Sequence, residues 1–216
     1  ITVVHPESEI AVILMALGFA YTGKRSAVGT SGGGFCLMTE SLSLAGMAEI
    51  PLTLLVSQRT GPSTGLPTYT GQSDLHFVLN AGQGEYPRLI VAPGDAREAL
   101  YWSEVAMNMA WKFQIPAFIL SDKTLSEGTY SVDPAAISEA GSGDSPRWSG
   151  TGPYHRYADA PGGVSPLAFP GMKDAVVRVN SYAHDEAGIT TEDALTVAQM
   201  ADKRLRKGGM LADELG

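Results

Sequence analysis

The segment Gly29–Pro67 constrains the fold of this chain more than any other part. A short strand-like run, Arg25–Thr30, ends in a glycine-rich turn, and a helix-length segment follows at Phe35–Glu49. An apolar run at Leu52–Val56 has the character of a buried strand. Strand, helix and strand in this order predict a parallel α/β sheet, whose ligand sites form at the carboxyl ends of the strands. The polar loops Thr30–Gly34 and Gln58–Thr68 fall at those ends.

Apolar periodicity predicts further elements of the same kind along the chain. Strands are predicted at Ile1–Val4, Arg88–Ala92 and Ala117–Leu120, and helices at Glu7–Ala20, Gly71–Ala81, Ala96–Phe113 with Asp95 as its cap, and Thr190–Lys207 with Thr190 or Thr191 as its cap. Residues 126–172 are rich in Gly, Pro, Ser and Tyr, which predicts an extended excursion with a hairpin. We therefore expect residues 1–125 to form the core of one α/β domain that lacks its N-terminal part. Residues 126–216 would add the excursion and the final helix.

Charge and cysteine content exclude several classes of function. The formal net charge is −8 and no basic run is present, which argues against binding to a nucleic acid backbone. Cys36 is the only cysteine, so the chain cannot hold an iron–sulfur cluster or a zinc cage of its own. We predict that Cys36 lies in the core, because its neighbours are apolar. No segment has the length of a membrane span, and a cytoplasmic protein is predicted.

The turn after the first strand contains a possible nucleophile motif. Gly29-Thr30-Ser31-Gly32-Gly33 matches G-x-S-x-G between a strand and a helix, and Asp122 with His155 or His184 could complete a serine hydrolase triad. The alternative is a tight turn whose glycines let a ligand approach the following helix. The four histidines do not have metal-site spacing, and we predict no metal site built from this chain alone. His184-Asp185-Glu186 is predicted to be a solvated loop.

Two charged residues stand where a ligand site would form. Glu9 opens the first helix, where it could hydrogen-bond a heterocyclic nitrogen, or could be a solvated acid favoured by the helix dipole. Arg59 follows a strand and could bind a carboxylate with both arms of its guanidinium. The alternative for Arg59 is an exposed ion pair with Asp74 or Glu85.

At these residues the sequence resembles a known family. The motifs TSGGGF, QRTGPSTGLPT and HDEAGITTED, together with the segment from SEIAVILM to QIPAFILSD, resemble the alpha subunit of 2-oxoacid:ferredoxin oxidoreductases. The resemblance covers nearly the whole chain. It implies the pyrimidine-binding domain of a thiamine diphosphate enzyme, a parallel α/β fold with helices on both faces.

The resemblance also implies roles for particular residues. Glu9 would hydrogen-bond the aminopyrimidine ring of the cofactor and favour its imino tautomer, and Arg59 would hold the substrate carboxylate. Thr30, Ser31 and Gly32 would line the pocket beside the cofactor and substrate. One departure is that Gly33 stands where many members have proline, which loosens the turn.

The remaining parts of such an enzyme would come from elsewhere. A beta subunit would carry the diphosphate and Mg²⁺ site and the iron–sulfur cluster, coenzyme A would accept the acyl group from a 2-oxoacid, and ferredoxin would take the electrons. Two other interpretations stay open from the sequence. One is the serine hydrolase based on Ser31, and the other is a non-catalytic assembly subunit with the same fold.

Overall fold

The computed structural model describes residues 1–216, except for the side chain at position 134. Its helices and strands, in chain order, are α1 (Glu9–Tyr21), β1 (Ala27–Thr30), α2 (Gly32–Phe35), α3 (Thr39–Met47), β2 (Leu52–Thr60), β3 (Leu66–Thr70), α4 (Leu75–Asn80), β4 (Leu89–Val91), α5 (Ala96–Phe113), β5 (Pro116–Asp122), α6 (Lys123–Glu127) and α7 (Ala194–Leu215). Short 3₁₀ turns lie at Cys36–Met38, Pro134–Ala136 and Pro161–Gly163.

Four of the strands form a parallel sheet in the order β1-β2-β5-β4. The central pair, β2 and β5, runs in register from Leu52 opposite Pro116 to Gln58 opposite Asp122. Both strands are apolar over most of their length, as expected when a parallel sheet is buried on both faces. The predicted parallel α/β class is confirmed.

Helices cover both faces of this sheet. On one face, α1 and α3 pack against side chains such as Leu54 and Phe118. On the other face, α5 packs against Ala117 and Ile119, which alternate with Phe118 along β5, and Leu211 of α7 belongs to the same apolar cluster. The alternation follows from the two-residue period of a strand.

The helix limits show which sequence signals were reliable. Asp95 caps α5 as predicted, because its Oδ1 accepts hydrogen bonds from the N–H groups of Arg97 at 2.8 Å and Glu98 at 2.9 Å. The predicted cap of the final helix was wrong. Asp193, not Thr190 or Thr191, caps α7 by accepting from Thr196 N at 2.8 Å. Aspartate is a stronger cap than threonine, and its position three residues later moves the start of the helix.

Several predicted elements differ from the structure. Ile1–Val4 is exposed and pairs with no described strand, since an apolar run becomes a strand only where a neighbour supplies hydrogen bonds. The helix predicted at Phe35–Glu49 begins earlier, at Gly32, and tightens to a 3₁₀ turn in its middle. The helix predicted at Gly71–Ala81 is limited to Leu75–Asn80. In the excursion at 126–172, the described residues form no hairpin, only a single bridge between Arg147 and Leu167.

The loop predicted at Gln58–Thr68 is instead a β-hairpin. Strand β2 continues to Thr60 and pairs antiparallel with β3, with a bulge between Arg59 and Thr60. All five residues of β3 are exposed, so the strand has no buried face and the sequence has no alternating apolar pattern there. Bulges of this kind redirect the side chains beside them.

A buried charge cluster, Glu49 with Arg156, Lys203 and Lys207, fixes α7 to the rest of the chain. Glu49 accepts hydrogen bonds from Lys203 at 2.9 and 2.8 Å and forms an ion pair with Lys207. The four residues are at most 3 % exposed. Burial by itself would raise the pKa of Glu49, but Lys207, Lys203 and Arg156 outweigh it and hold that pKa at about 2. Burial lowers the pKa of Lys207 to about 7, although Glu49 opposes the shift.

The helix ends explain how three cations can lie around one carboxylate. Arg156 donates to the carbonyl oxygens of Ala48 and Glu49, at the end of α3, at 3.3 and 2.6 Å. Lys207 donates to the carbonyl of Gln114, at the end of α5, at 3.4 Å. Helix carboxyl ends carry partial negative charge, so the cations interact with two helix dipoles as well as with Glu49. The cluster lies where β2 and β5 begin, at the amino edge of the sheet.

Within the described residues, the structure contains no helix that is both long and apolar enough to cross a membrane.

Candidate functional site

The carboxyl ends of β1 and β2 border a cleft of about 530 Å³. Its walls come from the start of α1, the three glycines Gly32–Gly34 of α2 (the glycine turn), the β2–β3 hairpin and the start of α4. The lining residues that bear charge or lie in the glycine turn are Glu9, Gly32, Gly33, Gly34, Arg59 and Asp74. The cleft therefore lies at the sheet edge where parallel α/β folds bind ligands.

Glu9 enters this cleft from the first turn of α1. Ser8 caps the helix by accepting from Ala11 N at 3.4 Å, which makes Glu9 the first helical residue. Its side chain is half-buried, so Glu9 is not the fully solvated acid that the sequence offered as an alternative. The cap fixes the helix start, and the helix start fixes where the carboxylate lies.

Gly34 leaves room for the Glu9 carboxylate. A Cβ atom at position 34 would lie 2.7 Å from Glu9 Oε1 and would clash with Thr30 Oγ1. The Glu9 carboxylate and the Thr30 hydroxyl thus both lie against one glycine, at the end of β1. Any larger residue at position 34 would displace one of these two oxygen atoms.

The other predicted turn residues lie around this glycine. Thr30 ends β1, Ser31 is the N-cap residue of α2 without a side-chain capping bond, and Gly32 is the first residue of α2. Gly32 lines the cleft, whereas Thr30 and Ser31 are not among the described lining residues. Thr30 approaches the cleft through its contact with Gly34.

Arg59 lines the same cleft, on the β2–β3 hairpin. It lies within β2 at the bulge, paired with Thr70, rather than in a loop as predicted. No salt bridge joins it to Asp74 or Glu85 in the described part of the chain, so the ion-pair alternative was wrong. Its Nε is buried without a hydrogen-bond partner among the described atoms. A buried donor of this kind is costly unless a ligand or water pairs with it.

Cys36 lies at the rim of the same cleft. It is exposed, so the predicted core position was wrong. The neighbours Phe35 and Met38 are fully buried, while Cys36 and Leu37 face outward. In a helical segment only the residues on one face are buried in the core, and Cys36 lies on the other face.

The geometry does not assemble a serine hydrolase triad. Asp122 caps α6 through Leu125 N at 2.8 Å, and His155 lies 3.7 Å from Glu186. His184 is fully buried, has its Nδ1 2.7 Å from the Tyr182 carbonyl and stacks on Tyr157. None of these described interactions reaches Ser31. The prediction of a solvated loop at His184-Asp185-Glu186 was wrong for His184, which is buried, whereas the Glu186 side chain is 47% exposed. Asp185 Oδ1 accepts from Ala187 N and Ile189 N and closes a tight turn.

Sequence reasoning missed Asp74 as a residue of the cleft. The only role considered for it was as a partner of Arg59. The predicted helix Gly71–Ala81 placed Asp74 inside a helix, whereas in the structure it is the N-cap residue of α4 and its side chain makes no capping hydrogen bond. No group of three or more His, Cys, Asp or Glu side chains that could hold a metal ion is found in the described residues.

Comparison with known proteins identifies the family. Residues 1–203 match the family model described as pyruvate flavodoxin/ferredoxin oxidoreductase, thiamine diphosphate-binding. The chain belongs to this family. The resemblance stated from the sequence is thereby confirmed.

Proteins similar to this chain include an alpha subunit of a 2-oxoacid:ferredoxin oxidoreductase. The alpha subunit of 2-oxoacid:ferredoxin oxidoreductase 1 from Sulfurisphaera tokodaii is 42% identical over 211 residues, which are 96% of this chain and 33% of that protein. The 2-oxoglutarate oxidoreductase subunit KorA from Mycobacterium tuberculosis is 40% identical over 123 residues, 57% of this chain and 19% of that protein. The chain thus spans about a third of the length of the relative from Sulfurisphaera tokodaii.

A solved structure supports the same family and fold. The 2-oxoglutarate:ferredoxin oxidoreductase from Magnetococcus marinus, with 2-oxoglutarate, coenzyme A and succinyl-CoA bound, superimposes with a TM-score of 0.90 and 34% identity. The match covers 98% of this chain and 37% of the other. The predicted thiamine diphosphate-binding fold with helices on both faces is confirmed.

Proposed function

We propose that this chain forms the pyrimidine-binding wall of a thiamine diphosphate-dependent 2-oxoacid:ferredoxin oxidoreductase. The enzyme would convert a 2-oxoacid and coenzyme A to an acyl-CoA and carbon dioxide, and would pass two electrons to ferredoxin. The observation that carries the proposal is the cleft itself. Glu9 and Arg59 line the same space at the ligand-binding edge of the sheet.

The described residues fit the pyrimidine half of thiamine diphosphate. Glu9 provides a half-buried carboxylate at the start of α1, and the absence of a side chain at Gly34 lets that carboxylate pack against the backbone of α2. When bound, the cofactor supplies a carbanion-forming centre that amino acid side chains lack. Glu9 would hold a hydrogen bond to a ring nitrogen and keep the ring oriented. Thr30, against the same glycine, would limit the positions open to that carboxylate.

Arg59 would bind the substrate. Its guanidinium has no acidic partner among the described side chains, and its Nε is buried without a hydrogen bond, so the group is available for a carboxylate. Arginine pairs with carboxylates through two parallel N–H···O bonds, which fixes orientation as well as position. The reacting carbonyl next to that carboxylate would then have a defined place in the cleft.

We assign the remaining parts of the reaction to a partner subunit. A single cysteine cannot ligate an iron–sulfur cluster, so the electron carrier would lie on the partner. The diphosphate and Mg²⁺ site would also be on the partner. We further infer that 1–125 and 126–216 belong to one domain, since Lys203 and Lys207 in α7 bond to Glu49. A cytoplasmic location remains a prediction from the sequence.

The test of this function uses the complete subunit purified with the proteins that accompany it in its own cells. Reduction of a low-potential dye would be measured with a panel of 2-oxoacids and coenzyme A, with and without thiamine diphosphate. Thiamine-dependent reduction would establish the activity and the substrate together. If a complex with intact partner and clusters gives no reduction, the non-catalytic assembly subunit is favoured instead.

Arg59→Ala is expected to raise KM for the 2-oxoacid on the order of 30-fold, because loss of a charge-assisted hydrogen bond costs about 2 kcal/mol. The value of kcat should change much less. Steady-state kinetics on the assembled enzyme measure both. The KM of Arg59→Lys should lie between those of wild type and Arg59→Ala, since lysine keeps the charge but not the planar guanidinium. Arg97→Ala, at an exposed arginine of α5, is the control, and an unchanged KM in Arg59→Ala would remove the role of Arg59.

A further inference from the structure

Asp74 is the second carboxylate of the cleft, and the proposed function does not use it. It precedes α4 at the N-cap position but makes no side-chain capping hydrogen bond. Its backbone N–H donates to Gln58 Oε1 at 3.0 Å, which ties it to the residue before Arg59. The backbone of Asp74 is therefore fixed relative to the strand that carries Arg59.

The Asp74 carboxylate lies directly over Gly32. A Cβ atom at position 32 would be 2.5 Å from Asp74 Oδ2 and 2.9 Å from Oδ1. Oδ2 is buried and has no hydrogen-bond partner among the described atoms, and burial raises the pKa of Asp74. A carboxylate that neither caps its helix nor satisfies its buried oxygen costs the fold free energy. Such a cost at a ligand cleft indicates a role other than stability.

The role follows from what surrounds the glycine turn. The three glycines lie in the single turn of α2, which is closed by a hydrogen bond from Phe35 N to the Ser31 carbonyl at 2.8 Å. Because glycine has the largest backbone freedom of any residue, the groups that pack against this turn also influence its geometry. Glu9 and Thr30 lie against Gly34, and the Ser63 carbonyl oxygen would be 3.4 Å from a Cβ at Gly33. Asp74 closes the remaining side at Gly32. Since the turn is a wall of the cleft, its position sets the shape available to a ligand.

We propose that Asp74 is a positioning residue that holds the glycine turn Gly32–Gly34 in the geometry that the cofactor cleft requires. The identity of the ligand rests on the proposed function. The contact between Asp74 and Gly32 is independent of the proposed function. Asp74 constrains the position of Gly32 through the shape of its carboxylate. The two residues are thus a matched pair, and a change in either one should be felt through the other.

A double-mutant cycle on the assembled full-length enzyme tests the pair. We would measure the Kd of thiamine diphosphate, and amide hydrogen exchange of the peptide 31–35, in Gly32→Ala, Asp74→Ala and the double variant. Gly32→Ala should weaken binding about 10-fold by clashing with the carboxylate, and Asp74→Ala should weaken binding and speed exchange by freeing the turn. In the double variant the new methyl occupies the vacated space, so binding should be no weaker than in the worse single variant.

Further variants separate positioning from stability. Asp74→Asn keeps the shape without the buried charge, so its Kd should stay within about 3-fold of wild type and its Tm should not fall. In Asp74→Ala, KM for thiamine diphosphate should rise while kcat at saturation changes less than about twofold, a split that general destabilisation does not produce. Gly209→Ala, at a glycine with open space around it, is the control. If Asp74→Ala does not assemble, Asp74→Ser takes its place.

Two results would overturn the proposal. One is a double variant whose increase in Kd is the product of the increases in Gly32→Ala and Asp74→Ala. The other is an Asp74→Ala enzyme whose Kd for thiamine diphosphate and hydrogen exchange at 31–35 equal those of wild type. Failure of the proposed function has a different signature. There, wild-type enzyme would bind no thiamine diphosphate, while Asp74→Ala would still speed exchange at 31–35.

Discussion

Glu9→Gln is expected to lower kcat of the assembled enzyme on the order of 100-fold or more. Glutamine has the size of glutamate and fits beside Gly34, but it is neutral and cannot accept a proton or hold negative charge against a ring nitrogen. The loss should appear in kcat rather than in KM for the 2-oxoacid, because Arg59, the proposed carboxylate-binding residue, is unchanged. Dye-reduction kinetics at saturating thiamine diphosphate measure the effect.

The control for this variant is Glu7→Gln. Glu7 is exposed two residues earlier, before the cap of α1, so the same chemical change there should leave kcat within about twofold. Cofactor content would be determined in both proteins to separate loss of binding from loss of turnover. A Glu9→Gln enzyme with full cofactor content and wild-type turnover would show that the carboxylate has no part in the reaction.

Glu49→Gln is expected to lower the free energy of unfolding by about 3–5 kcal/mol, because it leaves Lys203 and Lys207 buried without a counter-charge. Urea-induced unfolding of the complete subunit measures the change. Glu40→Gln, at an exposed position of α3, should stay within about 0.5 kcal/mol of wild type. Adding Lys207→Met to Glu49→Gln should restore part of the loss, since it removes one of the unpaired charges.

The same residue predicts an acid dependence. The folded pKa of Glu49 is about 2, below its ordinary value of 4.5, so its contribution is fully present above pH 4.5 and is lost as the pH falls toward 2. The wild type should therefore lose stability over this window relative to Glu49→Gln, which has no carboxyl to protonate. Equal acid profiles for the two proteins would contradict the assigned ion pairs.

The sheet and its flanking helices were predictable because their sequence patterns coincide with burial. Ala117–Leu120 is an unbroken apolar run and Leu52–Val56 is apolar except for Thr53, and both belong to the central strands. The hairpin strand Leu66–Thr70 was not predictable, because all its residues are exposed and periodicity depends on a buried face. Ile1–Val4 shows the reverse error, in which a strand-like composition lacks a pairing partner.

The cleft was predictable in part. Glu9 and Arg59 follow from the rule that ligands bind at strand carboxyl ends, together with the family resemblance. Asp74 and Gly34 required coordinates, since their importance depends on contacts between residues at least 25 positions apart. The charge cluster was hidden for a related reason. A polar helix such as α7 has the sequence of a solvated surface, and only tertiary packing shows that Lys203 and Lys207 point inward.

The contact between Gly34 and Glu9 also gives a way to sort proteins that share this fold. A side chain at position 34 would clash both with the Glu9 carboxylate and with the Thr30 hydroxyl at the end of β1. A protein of this fold that had lost catalysis would be free to change Glu9 and Thr30, and shorter side chains at both positions would remove the constraint on Gly34. Positions 9, 30 and 34 together should therefore separate active enzymes from inactive relatives more sharply than identity over the whole chain.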